Sequence, residues 1–205
     1  MNYTLKGLGY SIFFYMFTAV GISLVIEAAV GVSCLDAMNL SISEISKFKI
    51  GTLTIFSNFL FIIGDILITR FSNPIKYVLQ GISILALGIV INIIIYYIFP
   101  HVNINNYSVK LFLYILGTLI AGVSIGAIIK LNFLSFPVEN FCLTISEKYK
   151  ISFVKIRYSI DVIALIASII LSYSFELPFF IREGTIIGMI MFSPIVNFTK
   201  DKVKF

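Results

Sequence analysis

Ser41-Ile42-Ser43-Glu44, followed by Lys47-Phe48-Lys49-Ile50, is echoed later in the chain by Thr144-Ile145-Ser146-Glu147 and Lys148-Tyr149-Lys150-Ile151. Each copy lies between long apolar stretches. A unit repeated at that distance inside a very hydrophobic chain points to duplicated membrane architecture rather than to a soluble fold.

Composition agrees. Hydrophobic residues make up 59% of the 205 residues and charged ones 12%, and the mean hydropathy is +1.03. A soluble domain of this size needs more charge to cover its surface, so lipid is expected to replace water around much of the chain. The length suffices for about six spans of roughly 20 residues. No cleavable signal is expected, because the apolar run after Lys6 is too long for a signal core and lacks a small-residue cleavage site. The net charge of +5 comes from basic residues scattered near span ends, which excludes a nucleic-acid groove. Cys34 and Cys142 are too few and too far apart for a metal motif.

The expected spans are Gly9–Val30, Ile50–Thr69, Tyr77–Phe99, Val109–Ile129, Phe153–Tyr173 and Gly184–Phe198. Two segments of middling polarity, Ser33–Lys47 and Ser135–Lys148, carry apolar residues at helical spacing and read as short interfacial or re-entrant helices. The fold expected is therefore all-α and polytopic. Its six spans form two inverted three-helix repeats, 1–105 and 106–205, each with a short helix after its first span. Gly21-Ile22-Ser23 matches Gly122-Val123-Ser124, and Asn92 matches Asn197. With the N-terminus in the cytoplasm, Lys47, Lys49, Lys110 and Arg182 fall outside and the other basic residues inside. That bias places both termini on the cytoplasmic side of the membrane.

Candidate pathway residues are the polar groups at depth. Asp161 lies four residues from Arg157, on one helical face; the pair suits a proton or anion switch, or a structural brace. Asp65 sits one turn before Thr69 and Arg70, the arginine being the expected neutraliser. Asn58, in mid-span, must face protein or water, and as interhelical glue it contributes about 1 kcal/mol. Glu27 lies near the outer end of the first span. Asp36 and Glu139 each follow a turn and open a short helix, the most site-like recurrence in the chain. Gly81, Gly88, Gly117, Gly122 and Gly126 suit close helix approach, and Tyr96, Tyr97 and Tyr107 an aromatic belt. His101 is the lone histidine, in a loop, and no HExxH or Ser-His arrangement exists, so neither an enzyme nor a cofactor or metal is expected.

Gly31-Val32-Ser33-Cys34-Leu35-Asp36 with Ile50-Gly51-Thr52, then Ser135-Phe136-Pro137-Val138-Glu139 with Ile156-Arg157, Asp161 and Gly184-Thr185, resemble the YczE/YyaS/YitT group of bacterial integral membrane proteins over nearly the full length. Cys34 stands where a proline is usual there, and Asn132 where a glycine is expected. The resemblance implies a polytopic helical fold and transport. The function expected is a secondary transporter or exporter of a small amphipathic solute, with lipid, a small-molecule or ion substrate and a homo-oligomer as partners. The alternatives are the substrate-binding subunit of an energy-coupling-factor vitamin importer, which would bring ATPase and coupling subunits, and a non-transporting accessory protein.

Overall fold

The computed structural model describes residues 5–101, 104–131 and 136–202. Asn132, Ser135 and Lys204 fall outside them, as does the side chain of Asn197. Eight α-helices follow in order: α1 Leu5–Ala28, α2 Cys34–Ser46, α3 Ile50–Thr69, α4 Pro74–Ile93, α5 Tyr107–Leu131, α6 Pro137–Tyr149, α7 Phe153–Ser174 and α8 Glu183–Lys202. A π-helical turn, Ile94–Ile98, and a 3₁₀ turn, Phe99–His101, extend α4.

Among the described residues four helices are long and apolar enough to cross a membrane: α1, α3, α4 with its π turn, and α5. This corrects the expectation of six spans in two clean inverted three-helix repeats. Three of the four lie in the first half and one in the second, so the halves are not equivalent. The reason lies in the side chains. Lys155, Arg157 and Asp161 crowd the first three turns of α7; Glu183 opens α8, Pro194 interrupts it, and Lys200 and Lys202 close it.

Outward faces confirm the solvent. Phe56, Leu60, Ile63 and Leu67 on α3, and Ile75, Val78, Ile82, Leu85 and Ile89 on α4, are all exposed. They recur at three- and four-residue steps, so each helix turns an apolar stripe away from the protein, where lipid must cover it. α7 does the same with Val162, Ile166 and Ile170 beyond its charged start.

Polar residues inside the apolar helices are silenced locally. The hydroxyls of Ser11, Thr18 and Ser23 donate to the carbonyls of Gly7, Phe14 and Ala19 four residues back, which keeps them out of hydrocarbon unpaired. α1 and α5 cross closely. A Cβ on Gly21 would lie 2.7 Å from the Gly117 carbonyl oxygen, and one on Gly117 would lie 2.7 Å from that of Gly21. Gly122 and Gly126 admit α8, and Gly88 meets Gly51 of α3. Gly81 has only ordinary contact with Phe59.

The short helices, 13 residues each, are too short to span, and they sink their first halves into the protein. Their opening halves are buried: Cys34, Ala37, Asn39 and Ser41 in α2, and Pro137, Val138, Glu139, Asn140 and Cys142 in α6. α2 packs on α7 and α3, and α6 on α3 and α7. Ser33 caps α2, its hydroxyl donating to Asp36 Oδ2 at 2.6 Å while its oxygen receives the Asp36 N–H. Pro137 opens α6, where its fixed φ and missing N–H cost nothing. Each short helix ends on a left-handed lysine of the repeated stretch, Lys47 (φ 60°) and Lys150 (φ 57°).

Candidate site at the starts of the two short helices

α6 is the hub because it presents different residues to two neighbours. Asn140 and Thr144, one turn apart, face α3. There Asp65, only 2% exposed, accepts from the Asn140 amide through one oxygen and from the Thr144 hydroxyl through the other. Lys76, from the first turn of α4, donates to the Asn140 carbonyl oxygen and supplies the nearby positive charge. Both carboxylate oxygens are thereby served, as a buried ion requires. Arg70, the expected neutraliser of Asp65, instead ends α3 in the left-handed region (φ 54°), and no ion pair joins the two among the described residues. The Tyr77 and Thr69 hydroxyls, 2.6 Å apart, tie α4 to the end of α3.

Glu139 faces the other way, towards α7. Arg157 Nη1 lies 2.7 Å from Asp161 Oδ1, so the four-residue spacing makes the pair that it predicts. Arg157 Nε lies 3.8 Å from Glu139 Oε1, too long for a hydrogen bond. Glu139 is 6% exposed, and its Oε2 has no hydrogen-bond partner among the described residues. Burial holds its carboxyl above the ordinary range, with Arg157 opposing. Asp36, at the third position of α2 as Glu139 is of α6, is raised in the same way, its Ser33 hydrogen bond and the Arg157 charge opposing. The structure thus brings predicted residues together: the Arg157–Asp161 pair lies within electrostatic reach of Glu139 and of Asp36.

Apolar groups floor the cluster: Val138, Cys142 and Ile156 pack together with Leu35 of α2 and Phe61 of α3. Tyr15 of α1 stacks on Phe136, just before α6, with ring centroids 4.5 Å apart. Cys34 and Cys142 are free and buried. Burial pushes their thiols up to about 11 and about 12, so neither is a reactive thiolate.

The remaining candidates stand apart. The Asn58 amide donates to the Thr54 carbonyl of its own helix at 2.8 Å. Asn92 accepts the Gly51 N–H at 2.9 Å and donates to Thr52, which fixes the start of α3 against α4. Glu27 is half-buried, within electrostatic reach of Lys110. Asn140, Thr144, Lys76 and Asn39, whose amide donates to Ser57, are not among the candidate pathway residues, and Thr144 enters the sequence argument only as the start of the second repeated stretch. The i, i+4 placement of Asn140 and Thr144 on a short helix was the available signal.

Four long apolar helices, lipid-facing stripes and a charged interior define a multi-pass α-helical membrane protein. The model of a family of unknown function (DUF6198) matches residues 5–201. The chain belongs to that family and to the YczE/YyaS/YitT-like group. It is similar to the uncharacterized protein YyaS of Bacillus subtilis (strain 168), with 26% identity over 204 residues covering 96% of this chain and 94% of that one. No solved structure matches.

Proposed function

We propose that this protein is a secondary transporter or exporter of a small amphipathic solute, seated in the bacterial cytoplasmic membrane with both termini inside. The observation that carries the reading is the cluster of Asp36, Glu139, Arg157 and Asp161 where the two short helices begin. Ionisable groups held in the interior of a lipid-facing bundle are costly, and they mark solute or ion pathways. Helix starts inside such a bundle add partial positive charge where an anionic group or a counter-ion is handled. Carboxylates beside an apolar floor of Leu35, Phe61, Val138 and Ile156 suit a solute with one charged and one apolar end. The excess of basic residues on one side supports the orientation.

The test is a thermal-shift screen of the purified protein in detergent against amines, amino acids, vitamins, drugs and lipids. Saturable stabilisation by one chemical class, lost in Arg157→Gln, is expected. Uniform indifference of a folded protein to every class contradicts the proposal.

A further inference from the structure

One arginine serves two acids unequally. Arg157 commits a hydrogen bond to Asp161 at 2.7 Å and leaves Glu139 an unbonded contact at 3.8 Å. Glu139 Oε2 meets no donor among the described residues, although the side chain is more than nine-tenths buried.

The groups around it are specific. α7 contributes Arg157 and Asp161, α1 contributes Tyr15 and α6 itself contributes Cys142, while Cys34 and Asp36 of α2 face the same Arg157–Asp161 pair. On the far face of α6, Asp65 of α3 and Lys76 of α4 are bound to Asn140 and Thr144. Lys76 is therefore engaged elsewhere, and among the described residues Arg157 is the cation that acts on Asp161, Glu139 and Asp36. Asp161 has the arginine and Asp36 has the Ser33 hydroxyl. Glu139 has its own backbone N–H and no side-chain hydrogen bond among the described residues, so an ionised carboxylate there would be buried with one oxygen bare.

We infer that Glu139 is a proton-binding site: in this conformation it is the neutral acid, and it loses its proton to solvent when Arg157 swings from Asp161 towards it. Proton loss and the change of arginine partner are one event, because the arginine stabilises whichever carboxylate it bonds. The use of that event, exchanging a proton for a solute, rests on the transport reading. Proton binding itself does not.

The experiment treats the full-length protein in lipid vesicles with dicyclohexylcarbodiimide, which modifies protonated carboxyls in apolar surroundings, and maps the adducts by mass spectrometry across pH. Infrared spectra of the same samples follow the protonated carboxyl band. Labelling is expected at Glu139, falling about tenfold per pH unit above its midpoint. The infrared band vanishes in Glu139→Gln. Asp161→Asn, which frees Arg157 for Glu139, moves the midpoint to lower pH, while Asp65→Asn leaves it in place. A band that survives Glu139→Gln, or a midpoint unmoved by Asp161→Asn, overturns the inference. A titrating Glu139 in a protein that moves no solute would defeat the transport reading alone. Solute movement with Glu139 ionised throughout would defeat this inference alone.

Discussion

The two faces of α6 treat a buried acid in opposite ways. On the α3 side, Asp65 has a donor for each oxygen and a lysine within reach. On the α7 side, Glu139 shares one arginine with Asp161 and leaves an oxygen bare. The first arrangement is closed and locks α3, α4 and α6 together. The second is open, and its cheapest repair is a proton or a ligand. Burial alone does not distinguish the two acids, since both are nearly inaccessible; the count of donors does.

The largest effect should come from breaking the closed face. Asp65→Ala strands Lys76 and the Asn140 amide, and is expected to cost about 3–5 kcal/mol in thermal or denaturant unfolding in detergent. Arg157→Gln should cost about 2–3 kcal/mol at neutral pH. Much of that should return in acid, where the Asp161 left without its arginine can be protonated; unfolding followed across pH measures both. Thr144→Val, removing one donor from the ionised Asp65, should cost about 1.5 kcal/mol near neutral pH and less in acid, where that donor matters less. An equal cost for Thr144→Val and Asp65→Ala would mean that neither Lys76 nor Asn140 contributes to the closed face.

Most of the fold was legible because a membrane span announces itself by length and apolarity. α1, α3, α4 and α5 appear where expected, with ends shifted by a few residues, as in Pro74 for Tyr77. The π turn at Ile94–Ile98 was not legible. It follows from tertiary demand, since it lies where the Tyr96 hydroxyl receives the Ile50 N–H and Lys49 reaches Tyr97. Six spans were overcounted because the apolar second half of α7 hides how charged its first turns are. At the site, the Arg157–Asp161 pair and the recurrence of Asp36 and Glu139 could be read from spacing, which reports a shared helical face or position. The pairing of Glu139 with Arg157, and the capture of Asp65 by residues 75 or more positions later, join separate elements. Spacing carries no information about such contacts.

The most direct test of the contrast is the pH dependence of unfolding for the parent protein, Glu139→Gln and Asp65→Asn, measured from about pH 4 to about pH 8. A carboxyl held above its ordinary range by folding stabilises the fold below that range, and the contribution is lost as pH rises through the raised value. The account predicts that Glu139→Gln matches the parent in acid and becomes the more stable of the two as pH rises, while Asp65→Asn is less stable than the parent near neutral pH. A Glu139→Gln protein as destabilised as Asp65→Asn near neutral pH would contradict it, because both acids would then be structural.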